Sequence, residues 1–170
     1  MADSRQAAAL LARCGRDMAA LEELYLLYKG QVFAYAFSML RDYALAEDVL
    51  HEVFLRLTKS APRYKGKSSA LTYILGITKN TARELRRKQR NPLPLREDLP
   101  NEQDSTAHTE LRALLDALAD NQRQVVVLHL YAGLTFGEIA RLLHTPESTL
   151  KSRWQKALEI LRKEIKEGDL

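Results

Sequence analysis

The stretch GLTFGEIARLLHTPESTLKSR, Gly133 to Arg153, decides the fold. It reads as helix, tight turn, helix. Thr135 followed three residues later by Glu138 forms a capping box, in which each side chain satisfies a backbone donor that the first helical turn leaves open. Ile139, Ala140 and Leu143 then make an inner face, and small Ala140 lets the next helix approach. His144-Thr145 holds the turn, Pro146 opens or precedes the second helix, and Leu150, Trp154, Ala157, Leu158, Leu161 and Ile165 recur as its buried stripe. With Ser148 or Thr149 near the first turn, this leaves Thr149, Lys151, Ser152, Arg153 and Lys156 on the outer faces. They are the side-chain types that meet phosphates and the acceptor edges of guanine in a major groove. A basic face alone belongs to any amphipathic helix, but with the capping box, turn and stripe it predicts helix-turn-helix DNA binding. Trp154, on the apolar stripe, is read as core.

Outward from this motif the chain is helical throughout. Leu21, Leu24, Tyr25, Tyr28, Val32, Tyr35 and Met39 recur at spacings of three and four until Arg41-Asp42-Tyr43 breaks the pattern. A second helix is predicted from about Ala46 to Lys59 and stops at Ala61-Pro62. A basic loop hinged on Gly66 follows, and Ser68 or Ser69 caps a third helix running to about Arg90. Asn91-Pro-Leu-Pro-Leu interrupts helix formation, because each proline removes a backbone donor and restricts the residue before it. Further helices are expected over Ala107–Ala119, Gln122–Tyr131, Thr135–Leu143 and Glu147–Lys166. With no β alternation of any length, the expected fold is all-α: two small helical domains, 1–90 and 107–170, joined by a flexible acidic linker at 91–106.

The formal net charge of +4 is modest, but it is segregated. Asp17–Glu52 carries two positive and seven negative residues, and Arg63–Arg90 nine positive and one negative. Asn91–Asp120 swings back to two positive and seven negative, and Asn121–Leu170 has eight positive and six negative. A polyanion would meet the basic blocks and a different partner the acidic ones. The lone Cys14 and the scattered His51, His108, His129 and His144 argue against a disulfide or a metal site, and no cofactor is expected. No phosphate-binding glycine loop or nucleophile–base pair suggests an enzyme. Without a membrane-length apolar run or a secretion signal, stable membrane insertion is not expected, and a cytoplasmic location is.

Two segments carry further site candidates. On the second helix Asp48, His51, Glu52 and Leu55 share an outward stripe, and an aliphatic residue among acids suits a protein contact. The rival reading is that Leu55 widens the core face. The loop and third helix combine Tyr64, Lys65, Lys67, Ser68, Lys79, Asn80, Arg83, Arg86, Arg87, Lys88 and Arg90 with Tyr73. Basic groups with aromatic rings suit unpaired DNA, since phosphates are neutralised while bases stack. Tyr73 is read as packing within the domain, and Asn80 as offering its amide to a base edge.

These residues carry a resemblance. LLDALADNQRQVVVLHLYAGLTFGEIARLLHTPESTLKSRWQKALEIL (114–161) resembles region four of bacterial sigma factors, and AEDVLHEVFLRL (46–57) with ITKNTARELRRKQR (77–90) resembles region two. Both occur in family order with no region three visible, as in the extracytoplasmic-function group. The resemblance implies a factor that binds core RNA polymerase, and its match at Asp48 and Glu52 favours polymerase as the partner of the stripe Asp48, His51, Glu52 and Leu55. It implies minus-ten binding by the Tyr64–Arg87 set, with the loop capturing a flipped base, and minus-thirty-five binding by Ser148, Thr149, Lys151, Ser152, Arg153 and Lys156. An anti-sigma factor is an expected partner beside promoter DNA. The chain departs from the usual pattern at His51, where Gln is common, at Tyr73, where Trp is common, and at His144-Thr145, where Gly precedes an aliphatic residue. A positive φ at His144 would cost about 1 kcal/mol. The alternatives are a helix-turn-helix regulator acting without polymerase and a helical protein-binding adaptor.

Overall fold

The computed structural model describes residues 2–89 and 112–168, and the chain divides into two compact units, Met1–Pro94 and Leu95–Leu170. The acidic linker expected at 91–106, Arg90 and the start of the helix expected at Ala107 lie outside the described residues. The described residues are helices and their connections, without a strand.

In the first unit α2 (Met18–Leu40), α3 (Tyr43–Ser60) and α4 (Ala70–Gln89) pack together as a bundle, and α1 (Ala2–Arg13) lies against α2 and α4. Local chemistry sets the boundaries. Asp17 accepts from the amides of Ala19 at 3.0 Å and Ala20 at 3.4 Å, which caps α2. The helix ends where Arg41 turns left-handed at φ 53° and its N–H donates to the Phe37 carbonyl. Asp42 then reverses to extended backbone and accepts from the Leu45 amide at 2.9 Å, so two residues finish one helix and begin the next. Leu24, Val32 and Tyr35 of α2, Val49, Val53 and Leu57 of α3, and Ile74 and Leu75 of α4 are fully buried. Each of the buried aliphatic side chains among them stabilises the bundle by about 1.5–3 kcal/mol.

The sequence reading did not anticipate α1, which buries Ala7, Leu10, Leu11 and Cys14. It reaches the short 3-10 turn Ala61–Arg63 that follows α3. Gly15, just past its end, lies so close to α3 that a Cβ there would sit 2.8 Å from the Thr58 carbonyl oxygen. Because that oxygen is backbone, neither side can move cheaply. Gly15→Ala is therefore expected to destabilise the first unit by about 1–3 kcal/mol, read as a lower thermal midpoint in the helical circular dichroism of the full chain.

The second unit begins with helical residues 112–116 and continues through α5 (Asp120–Val126), a π-turn (Val127–Tyr131), α6 (Phe136–Leu143) and α7 (Glu147–Gly168). The π-turn widens the helix end: the Ala132 N–H reaches back to Val127 O at 2.9 Å and the Leu134 N–H to Leu128 O at 3.0 Å. Leu118, Val126 and Ala157 form a core with Leu115, Trp154, Ile160 and Leu161 around them. Arg123, which the sequence reading does not single out, is buried. Its Nε and Nη2 donate to the carbonyls of Leu115 at 2.9 Å and Leu118 at 2.7 Å, and its Nη1 to Asp120 at 2.9 Å. One side chain thus ties the end of the preceding helix to the start of α5. No helix among the described residues is long and apolar enough to cross a membrane.

Candidate nucleic-acid interface

The second unit contains the expected helix-turn-helix. The Thr135 hydroxyl accepts from the Glu138 amide at 3.1 Å while Glu138 Oε2 accepts from the Thr135 amide at 2.8 Å, so the capping box is closed. His144 is left-handed at φ 50° and ψ 45°, and its N–H donates to Ala140 O. The Thr145 N–H also donates to Ala140 O, at 3.1 Å, and the Thr145 hydroxyl to Leu143 O at 3.1 Å. These bonds offset the strain of a side chain at positive φ, which explains how the turn dispenses with glycine. On α6 the buried pair is Ile139 and Leu142, with Ala140 and Leu143 less deeply placed than the sequence reading has them.

On α7, Leu150 and Ala157 are fully buried and Trp154 is half-buried against the ring of Phe136 and that of His129, 4.8 Å away. Trp154 is core, as its place on the stripe predicts. His129, missed in sequence, anchors this cluster: its ring stacks on Phe136 at 4.3 Å and its Nδ1 lies 2.8 Å from Leu134 O, a distance at which Nδ1–H donates. Ile165 departs from expectation. It is 51% exposed, because the last turns of α7 run past the packed core around Leu161. Ser148, Lys151, Ser152 and Lys156 are exposed, while Thr149 and Arg153 are half-buried. Lys151 Nζ lies 3.7 Å from Glu147 Oε2, a solvent-exposed pair of the kind worth at most about 1 kcal/mol and open to displacement by a phosphate.

In the first unit Lys65, Lys67, Asn80, Arg83, Arg86, Arg87 and Lys88 lie on the solvent side of the loop and α4. Asn80, Arg83 and Arg87 recur at helical spacing along one face of α4. Lys79 does not join them. It is 5% exposed, on the buried side of α4. Burial, and secondarily the charge of Arg83, lowers its ammonium pKa. Lys79 is thus removed from the basic surface that the sequence assigned to it. Tyr64 and Tyr73 are half-buried with ring centroids 5.1 Å apart, and the Tyr73 hydroxyl donates to Ser60 O at 2.9 Å, so Tyr73 packs within the domain. Of the two candidate caps for α4, Ser69 serves: its Oγ accepts from the Thr72 amide at 3.1 Å.

On α3, Asp48 and His51 are exposed and Leu55 is 63% exposed, so Leu55 does not widen the core. Glu52 is half-buried and held in place. The Arg56 guanidinium donates from Nε to Glu52 at 2.8 Å and from Nη2 to Glu84 of α4 at 2.7 Å. Hydrogen bonding to Arg56 lowers the Glu84 pKa, although the pair's exposure makes its main consequence geometric. Neither Arg56 nor Glu84 stands out in the sequence.

The Sigma-70 region 2 family model matches residues 24–91 and the Sigma-70 region 4 model residues 108–161. The ECF RNA polymerase sigma factor SigK of Mycobacterium tuberculosis H37Rv is 33% identical over 171 residues, covering 91% of this chain and 90% of its own. The chain belongs to the extracytoplasmic-function sigma factors. SigX of Bacillus subtilis is 30% identical, covering 84% of this chain and 81% of its own. The fold matches that of the sigma factor RpoE from Bartonella quintana, solved in complex with the anti-sigma factor NepR. That match has a TM-score of 0.70 at 19% identity and covers 85% of this chain and 96% of that one. CnrH, solved with the cytosolic domain of CnrY, gives the same TM-score of 0.70 at 19% identity over 96% and 97% of the two chains. This sigma factor is a transcription initiation factor, not an enzyme: it binds core RNA polymerase and directs it to promoter DNA.

Proposed function

We propose that the two units divide promoter recognition between them. Residues 1–90 bind core polymerase through Asp48, His51, Glu52 and Leu55 and hold the opened minus-ten strand on the basic residues of the loop and α4. Residues 107–170 place α7 in the major groove of the minus-thirty-five element, and the segment 91–106 tethers the two. The observation that carries this reading is that one unit has both an acidic–aliphatic stripe on α3 and a basic row on α4. A regulator that only binds duplex DNA needs neither. The protein acts in the cytoplasm, where polymerase and promoter are.

Reversing Asp48 and Glu52 together to Lys is expected to weaken holoenzyme assembly at least about tenfold, with helical circular dichroism unchanged. Normal assembly by the double variant would remove this face from the account. By likeness to RpoE, which was solved with an anti-sigma factor, a cognate anti-sigma factor is proposed to cover the same face. In co-purification from resting cells the double variant should lose that partner as well, and wild-type protein that repeatedly emerges without one would count against it.

A further inference from the structure

The loop between α3 and α4 is closed by hydrogen bonds from the protein itself. The Tyr64 amide donates to Ala61 O at 3.1 Å and fixes the way in. Ser69 fixes the way out: its Oγ caps the Thr72 amide and lies 2.8 Å from Thr72 Oγ1. Between them the Tyr64 hydroxyl donates to Ser68 O at 2.6 Å, closing residues 64–68 into a ring. Lys65, Gly66 and Lys67 form the exposed tip of that ring, with Gly66 at φ 72° and open space where a side chain would stand. Conformation, not crowding, therefore calls for glycine there. The Tyr64 ring is occupied by Tyr73, whose own hydroxyl is tied to Ser60 O across the base of the loop. Burial also pushes the Tyr64 phenol pKa up.

We propose that Tyr64 is a positioning residue for minus-ten base selection, which holds the Lys65–Gly66–Lys67 tip in its binding shape through the Ser68 carbonyl, rather than a platform on which a base stacks. The inference rests on the assignment of this loop to the minus-ten element. A tip that is already ordered loses less freedom when it grips a base and its flanking phosphates, and a fixed tip discriminates between bases that a mobile one would accommodate. Tyr73 supports the same ring from below, which gives its hydroxyl a role that an indole at this position would have to fill differently.

The test is a promoter library carrying all four bases at each minus-ten position, transcribed by holoenzyme assembled from core polymerase and the full chain. Tyr64→Phe keeps the ring and its packing and removes only the donor. It is expected to lower the preference for the best base over the next by about fivefold, the size of one hydrogen bond, with upstream footprint and holoenzyme assembly unchanged. Gly66→Ala, which strains the same tip without touching Tyr64, should relax the preference similarly. Unchanged base preference in both variants would overturn the proposal. The paired variant Lys65→Ala/Lys67→Ala separates the two levels of the account. If it impairs minus-ten recognition while Tyr64→Phe and Gly66→Ala do not, only the positioning role fails; if it too transcribes the library like wild type, the loop assignment fails and the positioning role with it.

Discussion

Arg123→Met is expected to destabilise the second unit by about 2–4 kcal/mol. The guanidinium is buried and serves two backbone carbonyls, and the bond to Leu118 O lies wholly inside the protein. Methionine fills similar space but donates nothing, so that carbonyl is left without its partner away from water, while the partly buried Leu115 carbonyl can recover some hydration. Asp120, about half exposed, gives up only a surface-grade ion pair. In a unit this small the change should lower the thermal midpoint by on the order of 10–20 °C. Trp154 is the one tryptophan in the chain, so its fluorescence follows this unit alone. A midpoint within a degree or two of wild type would show that the Arg123 bonds contribute no net stability. Asp120→Asn, which leaves both carbonyl bonds intact, should shift the midpoint far less.

Replacing Lys151, Arg153 and Lys156 together with alanine is expected to abolish protection of the upstream promoter element while holoenzyme still assembles. Removing a side chain that reads a base edge costs about 1–3 kcal/mol at one base pair, whereas removing one that neutralises a phosphate lowers the salt slope of binding by about one unit. The single variants sort the three. Lys151 and Lys156, exposed at the ends of flexible stems, should act mainly through the salt slope. Arg153, half-buried and so more fixed in direction, should act mainly at one base pair. If all three single variants footprint like wild type, α7 has been misassigned as the recognition helix.

The helix-turn-helix was legible because its signals are local. The Thr135–Glu138 box, the left-handed turn at His144 and the stripe from Leu150 to Leu161 each follow from residues within a few turns of one another. The α1 helix was legible in principle, since Ala7, Leu10, Leu11 and Cys14 have helical spacing, but alanine-rich polar surroundings weaken the contrast between its faces. Lys79 misleads for a related reason. A lysine on the edge of an apolar stripe can send its charge out or lay its stem along the core, and only the packing of α4 on α2 and α3 decides. Arg123 and the Arg56–Glu84 pair depend on helix ends and neighbouring helices meeting in space, and a chain of similar charges gives no sign of which arginine will be buried. Tyr64 shows the same limit within five residues: its aromatic character is visible in sequence, but the closing of its hydroxyl onto Ser68 O depends on the loop's path.

Run-off transcription with purified core polymerase tests the account most directly. Core enzyme alone should give no specific transcript from the native promoter, and adding the full chain should give one that requires both the minus-ten and minus-thirty-five sequences. The Asp48→Lys/Glu52→Lys variant should not support it. A protein that protects the upstream element in a footprint yet yields no transcript with core polymerase would contradict the account and leave a helix-turn-helix regulator in its place.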